Sequence, residues 1–161
     1  MMIKQTFMKL APETGATGFA PNWMNKYEVG PIPTGDTEPQ LFELAAGIQT
    51  VEPTTEEETE TYAYYGDKGG SNIDVTSVTS AYAFKGHRRY KDDPAQDFVR
   101  DCLSKSGDGR LIYFRHTEPD GRIREGKSTL TGIIHTGGDA NMRGNFECTI
   151  SFNGLPKDTK A

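Results

Sequence analysis

Two cysteines and three histidines are all the thiols and imidazoles that this chain of 161 residues offers a metal. Cys102 and Cys148 form no Cys-x-x-Cys pair, and His87, His116 and His135 lie far from both in sequence. No zinc-ligand spacing exists. Both cysteines sit among apolar neighbours and are expected to be buried, reduced thiols. Long apolar runs are also missing, since a spanning helix needs about 18 such residues together. The opening MMIKQTFMKLAPETG lacks the apolar segment of a secretory signal, so the expectation is a protein made in a cytoplasm and not exported by that route. Apolar residues make up only 34%, a lean core that suggests the monomer is not the finished object. Basic residues are outnumbered, 18 against 23 acidic, for a net charge of −5. A sequence-independent grip on nucleic acid or on an anionic membrane is therefore disfavoured. The length suits one domain, and neither a coiled coil nor a disulfide mini-domain fits the composition.

What is present is strand-like. Residues 1–40 hold Pro12, Pro21, Pro31, Pro33 and Pro39 among several glycines and show no period, which predicts an extended arm. Phe19, Trp23 and Tyr27 are its candidate anchors. The main domain is expected over 41–157, with a polar tail at 158–161. In LFELAAGIQTV (41–51), Phe42, Leu44, Ala46 and Ile48 alternate as in one strand. Glu52, Glu56, Glu57, Glu58 and Glu60 then crowd together, followed by Tyr62, Tyr64 and Tyr65 and the tip GDKGGSN. Charges this dense mark a solvated face, and a protruding hairpin with a flexible tip is predicted at about 49–72. In IDVTSVTSAYAFKG (73–86) the apolar residues change phase near Ser77, which implies a bulge or a strand that serves two faces. One helix is predicted at about 93–104. Asp93 is its N-cap, Pro94 its first residue, Gln96 the partner in a capping box, and Gly107 a stop. Ala95, Phe98, Val99, Cys102 and Leu103 form its apolar face. RLIYFRHT, RIREGKSTLTGIIHT and FECTISF read as further strands around the turn EPDG and the loop GGDANMRGN. Phe146, Cys148, Ile150 and Phe152 point to the core. About six strands and one helix, not alternating, predict a mostly β, antiparallel sandwich or barrel-like fold with one short flanking helix.

No catalytic, metal or cofactor residues are assigned. GRIREGKS (121–128) matches the phosphate-binding P-loop pattern. That loop must follow a strand and open a helix, whereas here a turn precedes the motif and TLTGII continues it as a strand. Asp93, Asp97 and Asp101 share one helix face and read as a cap with a solvated acidic surface. FKGHRRYK (84–91) is a basic, aromatic patch with Lys85, Arg88, Arg89 and Lys91, expected to pair with acidic groups on this chain or a neighbouring one.

Several pieces in a particular order carry a resemblance. They are Gly86-His87-Arg88, Asp93-Pro94-Ala95-Gln96-Asp97, Gly137-Gly138-Asp139-Ala140, and Asn153-Gly154 with Pro156. Over roughly 38–157 the chain resembles the major tail protein, or tail tube protein, of long-tailed siphophages. The resemblance implies a non-enzymatic virion subunit, assembled in the host cytoplasm. Six subunits would form a ring, their strands joined in one barrel, and rings would stack into a tube. Its partners would be further copies of itself, a tape-measure protein in the lumen, and tail-tip or baseplate and terminator proteins. DNA would pass without specific binding, no membrane is involved and no cofactor is needed. Under this reading Glu56, Glu57, Glu58, Glu60, Tyr62, Tyr64 and Tyr65 reach a neighbouring subunit or ring, and Lys85, Arg88, Arg89 and Lys91 are candidate partners there. Gly86, His87, Asp93, Pro94, Gln96, Asp97, Gly137, Gly138, Asp139, Asn153, Gly154 and Pro156 would be structural. The alternatives are a tail terminator or other tail ring, a related contractile-injection tube, and a soluble β-sandwich binding module.

Overall fold

The computed structural model describes residues 15–160; the beginning of the predicted arm, with Pro12, lies outside the described residues. Eight strands and one α-helix are present among them. The strands are β1 (Lys26–Gly30), β2 (Phe42–Glu43), β3 (Ile48–Tyr62), β4 (Asn72–His87), β5 (Leu111–Thr117), β6 (Ile123–Ile134), β7 (Asn145–Phe152) and β8 (Lys157–Thr159), and the helix α1 is Pro94–Asp101. Every pairing is antiparallel, in the order β2-β1-β5-β6-β7-β4-β3, with β8 added to β6.

The sheet is rolled. β1 and β4 lie four strand steps apart in that order, which in a flat sheet means about 19 Å. Yet the Tyr27 ring of β1 meets Phe84 of β4 edge-on at 5.3 Å. The sandwich-like architecture expected from the sequence follows from this curl. Its interior holds Val29, Tyr82, Phe84, Ile112, Phe114, Leu130, Phe146, Cys148, Ile150 and Phe152, all at most 4% exposed. β7 alternates strictly, with Phe146, Cys148, Ile150 and Phe152 inward, because one of its faces is wet and the other is core. The helix lays Ala95, Val99 and Cys102 on the roll, with Phe98 packing partly against the same core.

Local chemistry explains the departures. The Asp93 carboxylate accepts from the Gln96 backbone N–H at 3.2 Å. The second half of the capping box does not form, because the Gln96 side chain is used elsewhere. The helix ends at Asp101, and Gly107 opens a single 3-10 turn (Gly107–Arg110) instead of closing the helix. The predicted strand at 41–51 is two strands. A turn closed by Ile48 N–H to the Ala45 carbonyl separates them, and Gly47 (φ 81°) passes so near the His87 carbonyl that a Cβ has no room. β2 and β3 thus become the two opposite edges of the roll. Residues 26–30, expected in the arm, form β1 inside the sheet with Val29 and Gly30 buried. Tyr27 is its anchor, while Phe19 and Trp23 are 107% and 81% exposed. Across the boundary predicted between domain and tail, Lys157–Thr159 pairs with Ile123–Glu125. The P-loop look-alike is a turn and a strand. Gly121 N–H closes on the Glu118 carbonyl, and Lys127 is an exposed residue within β6.

Candidate assembly surfaces

The long hairpin of β3 and β4 carries the acidic cluster. Its cross-strand register assigns every side chain to a face. Outward from the core, one face runs Val51 and Phe84, Pro53 and Tyr82, Thr55 and Ser80, Glu57 and Val78, Thr59 and Val75, then Thr61 and Ile73. The other carries Glu52, Glu56, Glu58 and Glu60 with Asp74. Between the pairs Glu58–Ser77 and Thr59–Val75, Thr76 is an extra residue, and its hydroxyl donates to the Glu58 carbonyl at 3.1 Å. This is the bulge expected near Ser77. It flips the phase of β4, so that Val78, Val75 and Ile73 stay on one side. Their exposure climbs from 36% to 53% to 69%. Ser80 is the last buried residue of β4, so the arm from Ser80 to Asn72 projects about 27 Å.

The tip, expected to be flexible, is closed by hydrogen bonds. Asp67 Oδ2 accepts from Tyr64 N–H at 3.0 Å and from the Asn72 amide at 2.8 Å. Lys68 then takes a left-handed conformation, φ 51°. Tyr62 and Tyr64 pack edge to face at 5.2 Å, and Tyr65 points fully into solvent. Asp67 was not singled out in the sequence; an Asx residue before Lys-Gly-Gly was the available signal.

β3 is an edge strand along its whole length, and Pro53 fits only such a position. Between this edge and β1 lies a cleft of about 550 Å³, lined by Trp23, Tyr27, Leu44, Ile48, Val51 and His116 among others. His116 Nε2 donates to Asn25 Oδ1 (2.9 Å), and its Nδ1 accepts from the Tyr82 hydroxyl (3.0 Å). Arg124 donates to that hydroxyl oxygen and to Ser80 Oγ, both at 3.0 Å. Burial, then the Arg124 charge, lower the His116 pKa to about 4. Burial raises the Tyr82 hydroxyl.

The basic patch does not act as one block. Lys85 is on the outer face of β4, opposite Thr50 and Glu147. Arg88 and Arg89 are held internally. Arg88 pairs with Asp97 (3.3 Å) and lies over the Tyr90 ring (4.9 Å), and Arg89 pairs with Asp92 (2.5 Å). Buried Gln96 ties the segment down. Its Oε1 accepts from Arg89 N–H at 2.8 Å, and its Nε2 donates to the carbonyls of His87 (3.0 Å) and Ala46 (3.3 Å). Lys91 stands in a left-handed conformation, φ 66°. A shallow basin of about 390 Å³ forms here between Gly47, His87, Arg88, Arg89, Tyr90, Asp92 and Arg143. Arg143 comes from the β6–β7 loop, brought in by the Arg88 N–H bond to the Gly144 carbonyl (2.8 Å). No local sequence signal marks it.

The remaining motif residues shape the backbone. At Gly86 a Cβ would strike the Gly47 carbonyl. Gly137 and Gly138 turn the β6–β7 loop at φ 119° and 113°, and the Asp139 carbonyl accepts from Met142 N–H. Asn153 donates its N–H to the Lys127 carbonyl, and its side chain accepts from Thr129 Oγ1 at 2.9 Å. Gly154 turns the chain at φ 75°, and Pro156 leads into β8.

No protein-family model matches the sequence, and a search of curated proteins finds no match. Solved structures do match. A chain from the tail of an empty gene-transfer-agent particle, refined helically with C6 symmetry, has 18% identity and a TM-score of 0.64. The alignment covers 88% of this chain and 99% of that one. A chain from the virion of the native gene transfer agent has 17% identity and a TM-score of 0.61, with the same coverage. At these identities the likeness is one of fold. The chain folds, over nearly the whole length of its neighbour, as a chain from the tail of a gene-transfer-agent particle folds.

Proposed function

We propose that this chain is the subunit of a phage-type tail tube. Six copies close into a ring, and rings stack into a hollow conduit through which DNA passes without specific binding. A tape-measure protein occupies the lumen during assembly, and tail-tip or baseplate and terminator proteins meet the two ends. The product belongs to a virion, assembled in the host cytoplasm, and no step is catalytic.

The observation that carries this reading is the fold, shared over 99% of a chain from a tail with C6 symmetry. Two surfaces support it. The β3 edge offers unpaired backbone groups, which ring closure with another copy covers. The stripe Val78, Val75 and Ile73 runs out from the core into water, and burial against a second copy removes that exposure. Ring closure is a rotation that closes, whereas stacking repeats without closing and gives a tube of open length. The acidic balance suits a conduit that must not retain phosphates.

Light-scattering mass after size exclusion, with negative-stain images of the same fractions at two protein concentrations, tests this. Rings or tubes with a central channel are expected, in the presence of tail-tip and tape-measure proteins if nucleation requires them. A species that stays near 17.8 kDa with those partners present overturns the reading in favour of a binding module. Rings that never grow beyond one layer point to a terminator.

A further inference from the structure

We propose that successive copies engage head to tail through charge, the acidic outer face of one arm (Glu56, Glu58, Glu60) seating on the basic basin of the next copy (Arg88, Arg89, Arg143). This rests on the tube reading and names the partner of the arm within it.

The first argument is polarity. β4 begins at the arm tip with Asn72 and ends at the basin with His87. Its 16 residues span about 53 Å. Acid and base therefore occupy opposite ends of one strand axis. A copy related by a two-fold axis at either end sets like charge on like. A copy displaced along the axis sets acid on base, and that relation repeats without closing.

The second argument is what the chain leaves uncompensated. Among the described residues no cation pairs with Glu56, Glu58 or Glu60, and no carboxylate pairs with Arg143. The three glutamates stand on alternate positions of one strand face, about 7 Å apart. Like charges so placed repel until a cationic surface meets them.

The third argument is inside the basin. The Arg88 side chain is only 6% exposed, and its Nη atoms are bound to Asp97, Gln96 and the Arg89 carbonyl. Its Nε is buried without a hydrogen-bond partner. With Arg88 held by Asp97 and Arg89 by Asp92, which also lines the basin, Arg143 is the basin cation left to meet an incoming carboxylate.

The test uses three full-length proteins beside the wild type: an arm variant (Glu56→Lys, Glu58→Lys, Glu60→Lys), a basin variant (Arg89→Glu, Arg143→Glu) and a protein carrying both sets. Thermal melting establishes that each is folded. Arg143→Glu alone replaces the basin variant if loss of the Arg89–Asp92 pair harms the fold. Growth is read by sedimentation and light scattering. Wild-type growth should fall at least tenfold between about 50 and 500 mM salt. Each single-sided variant should fail to stack. A mixture of the two should grow again, as tubes whose layers alternate, because every contact then joins an acid to a base. The protein carrying both sets should stack with itself again. Growth of the arm or basin variant at the wild-type rate overturns this contact and leaves the tube reading standing. A wild type that forms no assembly at low salt, with its tail partners present, overturns both.

Discussion

His116 is the titratable group whose state the fold dictates most strongly. It occupies an inward position on β5 beside Phe114 and is 7% exposed. Each ring nitrogen has one partner. Asn25 Oδ1 only accepts, so Nε2 carries the proton and Nδ1 accepts from Tyr82. A second proton on Nδ1 would turn two donors toward each other and place a cation next to the Arg124 guanidinium, which already binds the Tyr82 oxygen. The folded pKa is accordingly about 4, against an ordinary 6.5. A depressed folded value means that the unfolded chain takes up the proton first. The stabilisation is complete above the unfolded pKa and is lost as pH falls from about 6.5 towards about 4, to a total of roughly 3 kcal/mol. At pH 5 about 2 kcal/mol is already gone. The measurement is urea unfolding of the wild type and His116→Gln from pH 8 to pH 5, which cancels His87, His135 and the carboxylates. The wild-type advantage over the variant should shrink by about 2 kcal/mol across that range. Two stability curves that run parallel within about 0.5 kcal/mol would refute the reasoning.

Asp93→Ala removes the helix cap and should cost about 1 kcal/mol by chemical denaturation; an unchanged midpoint would mean that the cap contributes nothing. Phe152, 4% exposed and ringed by Tyr82 and Phe114, should cost about 3–5 kcal/mol on truncation to Ala. A loss below about 1 kcal/mol would contradict its place in the core. Cys148 has its thiol pushed up to about 12 by burial, so maleimide should label it only at the rate at which the native state opens; prompt labelling would be inconsistent with that. Deleting residues 66–71 removes Asp67 and the tip and should abolish tube growth while leaving the melting transition in place. Normal tubes from that variant would count against the arm as an assembly element.

Legibility followed how much of each pattern was local. β7 could be read from eight residues because one wet face and one core face impose a period of two. The start of α1 could be read because Asp-Pro at a cap is chemistry within a single turn. The bulge at Thr76 was visible as a phase change. β1 and β8 were not visible, for opposite reasons. Lys26–Gly30 is too short to show a period between flanking prolines and glycines, and Lys157–Thr159 is exposed on every side chain. Both exist because a neighbouring strand offers backbone partners, which side-chain patterning does not record. The break at Gly47 was hidden because alternation reports which side a residue faces and not whether the strand continues. The tie made by the Gln96 side chain and the place of Arg143 escaped for a third reason. Their roles depend on segments 50 residues away in one case and on loop closure in the other.

The bulge also bears on how the arm is to be understood. Without the bulge, the same sequence in a regular strand would turn Val75 and Ile73 to the side of Glu58 and Glu60. An arm meant only to stay in water gains nothing from keeping its three apolar residues together, and mixing the two faces would have made it more soluble. Instead the bulge keeps them in line with Tyr82 and Phe84, so the core face continues beyond the core, with Glu57 beside Val78, while Glu56, Glu58 and Glu60 stay on the other side. A stripe of this kind gains when something covers it, and within the described residues nothing does. The two faces therefore call for different neighbours, a dry one for Val78, Val75 and Ile73 and a cationic one for Glu56, Glu58 and Glu60. A stacked array of identical subunits supplies both at once, because each arm then lies between copies rather than in solvent.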